Sequence, residues 1–210
     1  MAYAIDVRAD VIDIQTAPPP PNTLFVDTNV WFWYAYPRAS LSKRPPRPYQ
    51  KQFYPAFLGQ AFASGCRLYH SGLELAELVH LIENSEREAY NTLWNKQFET
   101  KDFRHSVPQM RKRLFAEVKT VWDQVELRSE SIDFAIEPTM TRAVLNRYAA
   151  DPLDGYDLFF IEPLLQSGSS IPARVLTDDG DFAAVPGIVV YTANRSVVDQ
   201  ARIAGRLITP

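Results

Sequence analysis

Acidic residues fall at four points of the chain where carboxylates could be brought together. Asp27 closes the short apolar run Thr23-Leu24-Phe25-Val26. Glu77 lies one turn into a segment that follows Cys66–His70. Asp157 lies near the start of the apolar segment 154–166, and Asp179 and Asp181 directly follow the run 173–177. Converging carboxylates repel one another and lose solvation, so such a group holds protons or a cation. Oxygen ligands without Cys or His partners suit Mg²⁺ or Mn²⁺. Such an ion also holds phosphate oxygens and makes a bound water acidic enough to attack a phosphodiester.

Neighbouring residues compete for the same roles. Glu74 sits one turn from Glu77, but Ser71-Gly-Leu-Glu74 matches a capping box, which accounts for it without chemistry. Asp157 is preferred over Asp154 because the apolar pattern begins right after it; Asp154 is a helix cap or a supporting acid. Thr28, Asn29 and Thr177 are placed to orient carboxylates by hydrogen bonds. His70, His80 and His105 have no ligand spacing.

A second feature is a stretch without acids. Residues 28–73 contain no Asp or Glu, where an even spread of the 25 acids predicts about five. The stretch holds the cations Arg38, Lys43, Arg44, Arg47 and Lys51 among nine aromatic rings between Trp31 and Phe57. Cations serve phosphates and flat rings serve bases, so the segment reads as an RNA-binding surface or as core aromatics beside a basic loop.

The elements that must position these groups are short strands separated by helices. Strands are expected at 23–26, 66–70, 131–136, 173–177 and 187–191, and helices at 50–64, from Ser71 through the eighties, and at 107–126, 138–148 and 154–166. That alternation predicts an α/β fold with a central, mainly parallel sheet. In such a sheet the carboxyl ends of strands and the adjacent helix starts share one edge, where ligands bind. The 210 residues fit one domain, and the net charge of -3 leaves room only for a local basic patch. Cys66 is the only cysteine, which excludes an internal disulfide. No secretory signal and no membrane span is evident, so the expected location is cytoplasmic. Prolines number 16 against 8 glycines. Pro18–Pro21 suggest an extended Pro-rich tail over residues 1–22, and Pro37, Pro45, Pro46, Pro48 and Pro55 suggest a stiffened insertion at 37–55.

Four segments together resemble a known family. Leu24-Phe25-Val26-Asp27-Thr28-Asn29-Val30, Leu75-Ala76-Glu77-Leu78, Asp154-Gly-Tyr-Asp157-Leu-Phe-Phe-Ile161 and Val175-Leu-Thr-Asp178-Asp179-Gly-Asp181-Phe182 resemble, in order, the acidic motifs of PIN-domain nucleases. The resemblance spans about residues 23–193 and leaves 194–210 as an extension packed on the domain. It implies a three-layer α/β/α fold and a Mg²⁺- or Mn²⁺-dependent ribonuclease. Asp27, Glu77, Asp157 and Asp179 would hold the metal, with Asp181 in support, and cleavage would leave 5′-phosphate and 3′-hydroxyl ends. Many bacterial members are toxins of toxin–antitoxin pairs, so the resemblance brings in an antitoxin protein and a homodimer as partners. Compact toxins usually lack the leader 1–22 and the insertion 37–55. Two rivals make different predictions. A non-catalytic RNA- or protein-binding module of the same fold binds without cleaving. A phosphatase of the haloacid dehalogenase class needs a second Asp two residues after the first, where this chain has Asn29.

Overall fold

The structure, a computed structural model, describes residues 4–42, 45–132, 134–166 and 172–209. Six strands form one sheet: β1 (Asp10–Asp13), β2 (Thr23–Val26), β3 (Arg67–His70), β4 (Glu130–Ser131), β5 (Arg174–Leu176) and β6 (Val189–Thr192). Their order is β1-β6-β5-β2-β3-β4, and every pairing is parallel. The helices are α1 (Thr28–Ala35), α2 (Pro48–Ala63), α3 (Gly72–Trp94), α4 (Thr100–Ser106), α5 (Pro108–Arg128), α6 (Pro138–Tyr148), α7 (Gly155–Leu165) and α8 (Arg195–Ile203).

Side-chain alternation along the strands builds two cores, one on each face. Leu24, Val26, Leu68, Leu176 and Tyr191 enter a core with Trp31 of α1, Tyr54 and Phe57 of α2, Leu78 and Ile82 of α3, and Val121 and Val125 of α5. Phe25, Tyr69, Val175 and Val190 point the other way, against Met140 of α6, Phe160 and Ile161 of α7, and Val197 of α8. The result is the expected three-layer α/β/α arrangement, with the sheet wholly rather than mainly parallel. Among the described residues no helix is long and apolar enough to cross a membrane.

Three differences from expectation have physical causes. Residues 10–13 of the supposed tail are a strand: β1 pairs with β6 from Asp10↔Val189 to Asp13↔Thr192, and Val11 is fully buried. Arg8 also anchors the leader, through an ion pair to the buried Asp151 at 2.7 Å. The stretch Ala17–Asn22 crosses without regular structure, and even there Pro18 is buried. The strand expected over 131–136 is shorter, with only Glu130 and Ser131 in the ladder. The helix expected from residue 50 starts two residues earlier: Pro48 occupies the first turn of α2, where its missing N–H costs nothing, and Pro55 lies inside the same helix.

Nine-ring enrichment in the acid-free stretch is largely core packing. Trp31, Phe32, Tyr36, Tyr54 and Phe57 are buried, while Trp33, Tyr34, Tyr49 and Phe53 pack against them and keep some exposure. The helix α1 is apolar around most of its circumference because it lies between the sheet and α2, α3 and α5.

Candidate active site

Helix capping places the acids. The backbone turns from β2 into α1 at Asp27, whose Oδ1 accepts the N–H of Asn29 at 3.2 Å. Ser71 caps α3 by accepting the Leu73 N–H at 3.2 Å, which sets Glu74 and Glu77 on one face of its first two turns. Asp154 caps α7 by accepting from Tyr156 and Asp157, which puts Asp157 in the first turn. The loop after β5 carries Asp179 and Asp181. All of these lie at the carboxyl edge of the sheet, on β2, α3, α7 and β5.

The acids influence one another strongly. Asp27 is 4% exposed, and its carboxyl is pushed up to about 7, first by burial and then by the charge of Glu77. A hydrogen bond from the Thr177 hydroxyl to Asp27 Oδ2, at 2.6 Å, works in the other direction. Asp157 is pushed up to about 9, by burial first and then by the charges of Asp27, Asp154, Asp179 and Glu77. Burial also raises Glu77 and Asp179; the Thr28 hydroxyl opposes the shift at Glu77, and the Asp181 N–H opposes it at Asp179. The charges of Asp154 and Asp179 add to the rise at Glu77.

Glu74 joins this group. It is 2% exposed, and neither carboxylate oxygen has a hydrogen-bond partner. Burial raises its carboxyl well above the ordinary range, and the nearby charges of Asp27, Glu77 and Asp157 raise it further. The Ser71 backbone N–H works in the other direction, in the sense of the expected capping box, but its geometry falls short of a hydrogen bond. The three-residue spacing from Glu77 was the signal that could have placed it in the pocket.

The supporting residues divide by role. Thr177 donates to Asp27 and accepts the Asp179 N–H at 2.9 Å, so one hydroxyl ties two of the acids. Thr28 bonds Glu77. Asn29 reaches Asp27 through its backbone, not its side chain. Asp154 is the cap of α7, and its charge still acts on Glu77, Asp157 and Asp179. Asp181 opens the turn 181–184 and donates its N–H to Asp179 Oδ1 at 2.9 Å. Among the described residues no three His, Cys, Asp or Glu side chains stand close enough around one point to hold an ion as placed.

Among the described residues, the expected basic residues do not all face one patch. Arg38 turns inward to the buried Glu86, with Nη1 2.6 Å from Oε1. Arg47 and Lys51 are exposed at the start of α2. Lys43 and Arg44 lie outside the described residues.

One hub was not anticipated. Asp178 receives Tyr54 Oη at 2.7 Å, Tyr49 Oη at 2.9 Å and Gln50 Nε2 at 2.5 Å. Asn194 Nδ2 donates to its backbone carbonyl at 2.9 Å. The helix α2 is thereby fastened to the loop that carries Asp179. Comparison with known protein families, with characterised proteins and with solved structures finds no match for this chain.

Proposed function

We propose that the chain is a PIN-type, Mg²⁺- or Mn²⁺-dependent ribonuclease that hydrolyses RNA phosphodiester bonds in the cytoplasm. The observation that carries the reading is the mutual influence of Asp27, Glu77, Asp157 and Asp179, with the buried Glu74 beside them, at the carboxyl edge of a parallel sheet. In chemistry the donor set suits a hard divalent cation: it offers only oxygen, including two buried Glu74 carboxylate oxygens without a hydrogen bond of good geometry. As placed, no three of these acids surround one point, so holding an ion requires them to draw together. Asp27, Glu77, Asp157 and Asp179 would hold the ion, with Asp181 in support. When bound, the metal supplies positive charge to the scissile phosphate and lowers the pKa of an attacking water.

The chain's own contribution is orientation. Thr177 keeps Asp27 and Asp179 in fixed relation, and the Thr28 hydroxyl favours the ionised form of Glu77. Asp178, held by Tyr49, Gln50 and Tyr54, keeps the Asp179 loop against α2. No serine or cysteine nucleophile is needed.

The test is cleavage of single-stranded RNA and DNA by the protein with Mn²⁺, with EDTA, and with Asp27→Asn. Cleavage that needs Mn²⁺ and Asp27 supports the reading. Equal activity in all three conditions sinks it, and folding with RNA binding but no cleavage points to a non-catalytic module. The toxin role, with an antitoxin partner, follows from the family resemblance. It predicts growth arrest on expression, relieved by a co-expressed small partner, and harmless expression of an active enzyme would remove that role.

A further inference from the structure

A cleft of about 730 Å³ adjoins the acidic pocket. It shares the start of α1 and the loop after β5 with that pocket: Asn29 follows Asp27 by two residues, and Asp178 directly precedes Asp179. The rest of its wall comes from the insertion, through Arg47 and Tyr49, and from Trp33 of α1 and Asn84 of α3. We propose that this cleft binds the base and sugar of a single-stranded RNA nucleotide flanking the scissile phosphate. The identity of the ligand rests on the ribonuclease reading; the existence of the binding site rests on the cleft.

Size is the first argument. The volume falls within the range of small-ligand sites, about 300–1,000 Å³. That is room for a nucleotide and far too little for a duplex.

Chemistry is the second. Trp33 and Tyr49 are only half-buried and offer ring faces for stacking. The Trp33 ring is held in place by Tyr54, with centroids 5.3 Å apart. Asn29 and Asn84 each carry an amide that can donate to and accept from a base edge. Asn84 uses its carbonyl oxygen on Thr100 at 3.1 Å, and its NH₂ group donates to no described residue. Arg47 is exposed and suits a phosphate.

The negative groups of the cleft do not oppose this. Asp178 receives donors from Tyr49, Gln50 and Tyr54. Glu88 is paired with Arg87 at 3.6 Å. The clamp on Asp178 also fixes the insertion wall to the acidic loop, so a base seated in the cleft sets where its phosphate lies.

The test is fluorescence anisotropy with 5′-labelled hexamers of rA, rC, rG and rU, using the full chain in the Asp27→Asn background with Mg²⁺. Binding with a preference among the four bases is expected. Trp33→Ala and Asn84→Asp should each weaken it by about tenfold or more and flatten the preference. Asn84→Asp keeps the acceptor for Thr100, so it reads the site without relying on a core ring. In the Asp27-intact protein, the Mn²⁺-induced rise in melting temperature should persist in both variants. Unchanged hexamer binding in both variants overturns the proposal while leaving the metal site standing. Cleft-dependent binding in a protein that never cleaves RNA overturns the nuclease reading and keeps the cleft.

Discussion

The Thr177 hydroxyl donates to Asp27 Oδ2 at 2.6 Å across 150 residues of sequence. This contact joins the ends of β5 and β2 and accepts the Asp179 N–H at 2.9 Å. Thr177→Val keeps the shape and removes the hydroxyl. We expect cleavage or metal affinity to fall about 10–100-fold, the usual effect of losing a group that orients a metal ligand. Titration calorimetry with Mn²⁺ reads the affinity, and a variant with wild-type affinity and rate would show that the hydroxyl does not orient Asp27.

The acids also make stability depend on pH. Asp27 and Asp157 are raised from an ordinary 3.8 to about 7 and about 9. Between pH 4 and pH 9 the folded chain therefore keeps protons that the unfolded chain releases. Stability from these groups is fully present below pH 4 and is lost as pH rises through that window. Without divalent ions the melting temperature should fall from pH 5 to pH 9, and Mg²⁺ or Mn²⁺ should restore it most at the alkaline end. A metal-free melting temperature that climbs over this range would contradict the buried cluster.

Glu74 gives a sharper form of the same expectation. Glu74→Gln removes a buried carboxyl whose ionised form is disfavoured by burial and by its acidic neighbours. At pH 9 without metal the variant should melt higher by several degrees, about 2–4 °C per kcal/mol recovered. Below about pH 4, where the carboxyl is protonated folded or unfolded, the two proteins should melt alike. The stabilisation by Mn²⁺ should shrink in the variant, and an undiminished effect would place Glu74 outside the ion's reach.

The Tyr54 hydroxyl lies 2.7 Å from Asp178 Oδ1 and 3.0 Å from Thr192 Oγ1, and accepts the Ala193 N–H at 3.0 Å. Tyr54→Phe strands these buried groups and should cost about 1–3 kcal/mol. Denaturant unfolding would show it as a lower midpoint at an unchanged slope. No change in midpoint would mean that water replaces the hydroxyl.

Arg38 and Arg47 should separate stability from binding. Glu86 is 1% exposed and is held by Arg38, by Arg113 at 3.5 Å and by the Tyr36 hydroxyl at 2.7 Å. Arg38→Ala removes one of these partners and should destabilise by about 1–3 kcal/mol. Arg47→Ala should leave unfolding nearly unchanged and weaken oligonucleotide binding. The reverse pattern would mean that Arg38 is the one facing the substrate.

Parts of this architecture were legible because apolar runs and capping residues coincide. Leu24-Phe25-Val26 followed by Asp27, and Ser71 followed by Glu74, mark a strand end and a helix start in any context. The strand β1 was hidden because Asp10 and Asp13 bracket only Val11 and Ile12, ahead of four prolines. The rings of α1 and α2 could not be sorted into core and surface, since a helix covered on several sides has no apolar stripe to read. Arg38 looked like its neighbours until Glu86, 48 residues away, supplied its partner. Glu74 was legible as a cap and illegible as an orphan, because only packing decides whether a carboxylate finds a donor.

The pairing of β1 with β6 also imposes an order in time. Asp10 is made early, yet its partner Val189 emerges 179 residues later. At about 5–20 residues per second, synthesis leaves the first strand waiting roughly 10–40 s for its neighbour. The acids follow the same schedule, since Asp27 meets Thr177 only after 150 further residues have been made. Until then a nascent chain carries its first acids without the pocket they later share.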